Sequence, residues 1–419
     1  MAHHVSFSLA MPPSISGRIK GMKRKRMIRS GRSLRSASLK SRPGILGAIL
    51  RWILSVAFFI RLLLTGRLLS YLEPIIEMLK SFSIVEDHAL WQDLTPLPQA
   101  DTERPMVQIA YDPMYRKAMD LFRALVHANE TSERALRLTT AILQHNPSHY
   151  SVWSYRCQVL KALHKSSPGE NWIQKELEFL NKALPKQRKT YQIWQHRLEM
   201  IKLTNDISKE IDLINSLIEV DSKNYHTWTY RQTILSHYNQ PEMWIGELPF
   251  NEKLLNEDIR NNSAWNHRFF IVFDAAFLQN PALTTEEFNS LVSKEIEFTK
   301  SQIHKAPNNP SAWNYLRGIL KRGRLPLSLV QDFVIPLTKT AQVLTDEDSW
   351  PIDLNKQADL PVVGAIEFLA DIYAASPSSA NDAINLYNAL AQKFDPIRHG
   401  YWQYRVLMAN RQQSEILAS

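Results

Sequence analysis

The sequence predicts an all-α fold, a right-handed α–α superhelix (solenoid) of stacked helical hairpins forming a crescent. Three observations predict it. A tryptophan recurs in one frame, at Trp153, Trp194, Trp228, Trp265, Trp313 and Trp402. Five of the six are followed three residues later by an arginine, and most by an apolar pair as well. Ahead of most copies runs a second amphipathic segment, closed by a short turn.

Taken in order, residues 1–43 are rich in Arg, Lys and Ser, with KRKR at 23–26, and read as disordered because they offer little apolar surface to bury. The stretch GILGAILRWILSVAFFIRLLLTGRLLSYL at 44–72 is apolar, but Arg51, Arg61 and Arg67 interrupt it. Its longest clean run, 52–60, falls short of the roughly 18–20 residues a membrane span needs. The three arginines point in different directions on a helix, which also weighs against an amphipathic surface helix. Three readings of 1–83 stay open: a basic-hydrophobic membrane anchor, a signal anchor, or an extension read through from an imperfect start site.

From about residue 84 the character turns to helical periodicity. The tryptophans are 41, 34, 37, 48 and 89 residues apart, and the last gap has room for one degenerate unit. Arg156, Arg197, Arg231, Arg268 and Arg405 follow three residues after their tryptophans, while Arg317 comes four after Trp313. Val159/Leu160, Met200/Ile201, Ile234/Leu235, Ile271/Val272 and Ile319/Leu320 follow at six and seven. Positions i−3, i, i+3 and i+7 share a helix face, so Tyr150, Trp153, Arg156 and Leu160 form one stripe. KELEFLNKAL and KEIDLINSLIEVD are the preceding amphipathic segments, and Asn146-Pro147, Asp221-Ser222 and Pro307-Asn308-Asn309 mark turns. A hairpin of this kind cannot bury its apolar face alone, so neighbours stack into a curved superhelix.

Composition narrows the function. The chain has 419 residues, 44% hydrophobic and 22% charged, which suits a large core. None of its 12 glycines falls in GxGxxG or GxxxxGK[ST], which excludes a self-contained phosphate loop. Its single cysteine, Cys157, excludes a disulfide framework and a cysteine-rich zinc site, and fits a reducing compartment. The formal charge of +9 arises entirely in 1–83, where 15 Lys/Arg meet 2 Asp/Glu. Residues 84–419 are slightly acidic, so the main body gives no support for binding nucleic acid.

The wording of the repeats is more specific than their spacing. KTYQIWQHR, DSKNYHTWTYRQ, EDIRNNSAWNHRFF and NNPSAWNYLRGIL resemble the alpha subunits of protein prenyltransferases, most closely the type shared by farnesyltransferase and type I geranylgeranyltransferase. WQDLTPLPQADTERPMVQIAYDPMYRKAMDLFRAL resembles the family's opening, and DLPVVGAIEFLADIY and FDPIRHGYWQYR its close. The resemblance covers nearly all of 84–419 and nothing of 1–83. It implies a cytoplasmic heterodimer in which this crescent wraps a beta chain that holds zinc and most of the isoprenoid and peptide pocket. It also implies farnesyl or geranylgeranyl diphosphate and CaaX-terminated proteins as substrates, magnesium for farnesyl transfer, and no metal in this chain.

The resemblance extends to single residues. It makes Lys189 the catalytic cation that meets charge developing on the diphosphate; the family more often has Pro and Asn where Arg188 and Thr190 flank it here. Lys186 is a nearby rival, but the spacing to Tyr191 and Gln192 selects Lys189. Gln192 matches a glutamine that binds the peptide carboxylate, Tyr191 the same rim, and Asn224, Tyr225 and His226 the pocket edge facing the diphosphate. Four of them also have a plain structural reading: Lys189 as an exposed lysine at a helix start, Asn224 as a turn residue, Tyr225 as a core aromatic and His226 as a cap on a neighbouring hairpin. Trp194, Arg197, Trp228 and Arg231 are assigned to structure, with Trp153, Trp265, Trp313 and Trp402. Two other functions stay open: the Rab-type alpha subunit, and a non-catalytic solenoid scaffold.

Overall fold

The structure is a computed structural model that describes residues 82–100, 107, 109–343 and 362–418. The readings of 1–43 and 44–72 lie outside the described residues, as does all of 1–83 but its last two positions.

All regular elements among the described residues are helices, with no strand. They run as α1 (Pro113–His127), α2 (Glu133–His145), α3 (Tyr150–Ser166), α4 (Trp172–Gln187), α5 (Tyr191–Thr204), α6 (Glu210–Val220) and α7 (Tyr225–Tyr238). Then follow α8 (Glu247–Glu257), α9 (Asn262–Phe269), α10 (Thr285–Lys305), α11 (Pro310–Arg322), α12 (Gln331–Val343), α13 (Val363–Ala374), α14 (Ala380–Ala389) and α15 (His399–Ala418). None is long and apolar enough to cross a membrane.

Local chemistry sets the boundaries. Side chains of Asp112, Ser132, Asn224, Asn261 and Asn309 accept from the free N–H groups at the starts of α1, α2, α7, α9 and α11. Thr284 and Glu287 form a reciprocal capping box on α10. Asn205 and Asn239 end α5 and α7 in the left-handed region, at φ 54° and 45°.

From α2 onward the helices pair as α2/α3, α4/α5, α6/α7, α8/α9, α10/α11, α12/α13 and α14/α15. The second helices also pack on one another, α3 on α5, α5 on α7, and so on to α13. The result is a right-handed α–α superhelix. The 89-residue gap holds its degenerate unit, α12/α13, whose second helix lacks a tryptophan.

All six repeat tryptophans are buried. Five indoles donate to the carbonyl six residues back: Trp153 to Pro147, Trp194 to Arg188, Trp228 to Ser222, Trp265 to Ile259 and Trp313 to Pro307, all within 2.7–3.0 Å. Burial of such a ring is worth about 3–5 kcal/mol against Ala. The arginines reach buried acids. Arg156 grips Glu176, Arg197 grips Glu210, Arg231 grips Glu247 and Arg268 grips Glu295, each Nε at 2.8–2.9 Å. The same four carboxylates accept from the next second helix, from His196, Tyr230, His267 and Tyr315. Arg317, one position late, pairs instead with Asp371 on α13, which also takes Tyr387 and Arg405.

Tyr150 does not share the buried stripe expected of it, being 74% exposed. Side chains of a first helical turn lean back toward the N-terminus, away from the body of their own helix.

Candidate functional site

The site forms where the α4/α5 turn meets the start of α7. Pro185 sits in the last turn of α4, and Thr190 N–H closes the turn on the Gln187 carbonyl at 2.9 Å. The carbonyl of Arg188 then accepts twice, from Trp194 Nε1 at 2.8 Å and from Asn224 Nδ2 at 3.4 Å. Later repeats build the same double acceptor: Ser222 with Trp228 and Asn261, and Ile259 with Trp265 and Asn309. Lys189 is thus presented from a turn fixed on both sides.

Asn224 is buried, and its Oδ1 accepts from the N–H groups of His226 and Thr227 at 3.0 and 3.4 Å. The turn reading describes its contacts, since both its polar side-chain atoms serve backbone partners. Tyr225 is 64% exposed, which overturns the core-aromatic reading. Tyr191 is exposed to a similar degree, at 66%. The His226 ring stands edge-on between these tyrosines, 4.1 Å from the Tyr191 centroid and 5.7 Å from that of Tyr225.

Tyr191, Tyr225 and His226 line the mouth of a groove of about 280 Å³ between α5 and α7, floored by Trp194, Leu198 and Tyr230. Gln195, Thr229 and Thr233 complete its walls, and sequence reasoning missed them because polar positions on a solvated helix carry no signal. Gln192 lies beside Tyr191, half-buried and outside the groove lining. Lys189 also lies outside it, with its side chain 77% exposed and Nζ 3.9 Å from Asp221 Oδ2.

Burial lowers the His226 pKa, which keeps its ring neutral at pH 7. The site therefore offers one compact positive charge, a neutral imidazole and two phenols at a wet edge. That set suits an anionic group rather than a cation. No cluster of three His, Cys, Asp or Glu among the described residues is arranged to hold a metal ion. Trp194, Arg197, Trp228 and Arg231 are buried behind this edge, and both arginines are committed to acids.

Sequence and structure comparisons place the chain among known proteins. The protein prenyltransferase alpha subunit repeat matches residues 132–163, 207–238, 244–274 and 292–323. Over 319 residues the chain is 33% identical to the protein farnesyltransferase/geranylgeranyltransferase type-1 subunit alpha of Dictyostelium discoideum, spanning 75% of this chain and 91% of that one. To the protein of the same name from Candida albicans it is 32% identical over 328 residues, spanning 75% and 96%. Among solved structures, the Candida albicans protein geranylgeranyltransferase-I complexed with GGPP superposes with a TM-score of 0.60 at 32% identity, covering 76% of this chain and 98% of that chain.

Proposed function

We propose, since this chain belongs to the protein prenyltransferase alpha-subunit family, that it is the alpha subunit of a type-1 enzyme. In this reading a heterodimer transfers farnesyl or geranylgeranyl from its diphosphate to the cysteine thiol of CaaX-terminated proteins in the cytoplasm. The observation that carries the reading is Lys189, solvent-facing at the head of α5 beside the Tyr191–His226–Tyr225 cluster.

In the transfer the cysteine thiol gives up its proton to solvent and attacks as the thiolate; a C–S bond forms at the isoprenoid carbon as the C–O bond breaks, and the diphosphate leaves with the electron pair. Negative charge grows on the leaving group, so a cation placed there favours the transition state over the ground state. Lys189 supplies that charge with three donors. His226, held neutral, donates a hydrogen bond without adding charge, and the Tyr191 and Tyr225 hydroxyls border the same edge. Gln192 binds the peptide carboxylate through its amide N–H, leaving no buried countercharge. Asn224 holds the Lys189 turn against the start of α7. No donor set among the described residues fits zinc, which the reading assigns to the beta chain, with magnesium serving farnesyl transfer; no step given to these residues runs through either.

Purification of the tagged chain from its own cells tests the reading. A stoichiometric beta chain is expected, together with transfer of a tritiated isoprenoid to a CaaX peptide. Recovery of the intact chain without such a partner would contradict it and leave the scaffold reading.

A further inference from the structure

Arg188 and Lys189 both approach one carboxylate oxygen of Asp221, at 3.6 and 3.9 Å and neither with a hydrogen bond, Arg188 Nε being buried with no hydrogen-bond partner; we infer that Arg188 is a positioning residue that competes for this acid and keeps the Lys189 ammonium free for the diphosphate. The inference rests on the reading of Lys189 given above.

The repeat supplies its own comparison. Lys189 and Lys223 occupy the same place, five residues before Trp194 and Trp228. The acids Asp221 and Asp258 also occupy one place, seven residues before Trp228 and Trp265. In the later repeat, Lys223 Nζ lies 2.9 Å from Asp258 Oδ2, a hydrogen-bonded ion pair that lowers the Asp258 pKa. In the earlier repeat the matching distance, Lys189 to Asp221, is 3.9 Å. One difference between the two repeats lies in the residue before the lysine. It is Ser222 in the later repeat and Arg188 in the earlier one, and Arg188 Nε lies 3.6 Å from the same Asp221 Oδ2.

Arg188 is well placed to keep that acid. Its Nη1 donates to the Pro185 carbonyl at 2.7 Å, and its own carbonyl is fixed by Trp194 and Asn224. Its side chain is 30% exposed, against 77% for Lys189. A guanidinium is always charged and weakly hydrated, whereas an ammonium is strongly hydrated and stays in water when another cation holds the acid. Without Arg188, the lysine would fold onto Asp221 as Lys223 folds onto Asp258, and that pair would have to break before a diphosphate could be met.

A double-mutant cycle in the reconstituted dimer tests this, reading the single-turnover transfer rate and the Kd for farnesyl or geranylgeranyl diphosphate. Arg188→Gln is expected to slow transfer about fivefold, which is roughly 1 kcal/mol, the upper end for an exposed ion pair, with Kd changed by less than about twofold. Compared with Asp221→Asn alone, the Arg188→Gln/Asp221→Asn variant is expected to lose nothing further, because no acid remains to capture the lysine. An equal loss in both backgrounds would mean that Arg188 acts by its own charge, and would overturn the inference. So would an Arg188→Gln variant that transfers at the wild-type rate. Lys189→Ala in the same assay separates the two claims. If it transfers normally, the Lys189 reading fails; if it is slow while the cycle is additive, only the role of Arg188 fails.

Discussion

Asn224 shows how much one short side chain settles. Its Oδ1 starts α7, and its Nδ2 ties that start to the Arg188 carbonyl one residue from Lys189. Asn261 and Asn309 do the same for α9 and α11, where no site is proposed. Replacing any of the three by Ala should cost about 1–2 kcal/mol in denaturant unfolding, the worth of a cap plus a buried hydrogen bond. Only Asn224→Ala should also slow prenyl transfer; equal slowing by all three would remove its positioning role. The sequence made Asn224 legible as a turn residue, because asparagine before a helix is a strong local signal. It left Tyr225 undecided between core and rim. Periodicity assigns a face but not whether a neighbour extends far enough to cover the first turn, and Tyr150, Tyr191 and Tyr225 all emerge exposed.

The junctions between hairpins carry an element-scale consequence. At two of them the second donor to the buried acid is histidine, and at two it is tyrosine. His196 donates from Nε2 to Glu176, with Arg156 on the same carboxylate and Glu199 nearby; His267 does so to Glu247, beside Arg231. Nδ1 of each ring is buried without a partner. Burial lowers both histidines below their ordinary value of 6.5. Burial would raise the two acids, but Arg156 and His196 bring Glu176 down to about 2, and His267 and Arg231 also hold Glu247 low.

Both kinds of group make the unfolded chain the better proton acceptor in acid, so stability rises with pH. The histidine contribution is fully present above 6.5 and is lost as pH falls through and below that value; the acid contribution begins to be lost below 4.5. A His196→Tyr/His267→Tyr variant copies the other two junctions. Its thermal midpoint is expected to be flatter than wild type between about pH 7 and 5. An unchanged slope would mean that these rings are not the groups that titrate. Glu247→Ala would strand Arg231 without a countercharge and His267 Nε2 without its acceptor, and should cost about 3–5 kcal/mol in denaturant unfolding.

These acids were hard to read in sequence because the arginine-to-acid separation varies, at 20, 13, 16 and 27 residues. The connections between helices differ in length, so that interval drifts. The distance from each acid to its following tryptophan does not drift: Glu176, Glu210, Glu247 and Glu295 each lie 18 residues ahead. Counting backward from tryptophan would have found them.

At the scale of the whole molecule, the tryptophan frame carried the fold because each indole must fill the same space between stacked second helices. Trp153, Trp194, Trp228 and Trp265 each lie 4.8–5.0 Å, centroid to centroid, from the ring two positions after the next tryptophan. The degenerate unit was visible only as a gap. It keeps the stack by another device, since a Cβ at Gly364 of α13 would fall 2.6 Å from the Trp313 ring. The site was less legible than the fold. Lys189, Gln192 and Lys223 are all polar residues at helix starts, and only resemblance ranked one above another. The geometry adds a physical distinction, with Lys223 tied to Asp258 and Lys189 held by no hydrogen-bonding acid.

The most direct measurement is therefore single-turnover prenyl transfer to a CaaX peptide by the chain reconstituted with its beta partner, comparing Lys189→Ala with Lys223→Ala. Lys189→Ala is expected to slow transfer by about 10²-fold, the usual effect of removing one preorganised charge or donor at a transition state, with the dimer intact. Lys223→Ala should stay within about twofold of wild type, as befits an exposed lysine already paired to Asp258. Intact dimers in which both variants transfer at the wild-type rate would contradict the assignment of the catalytic charge to this chain.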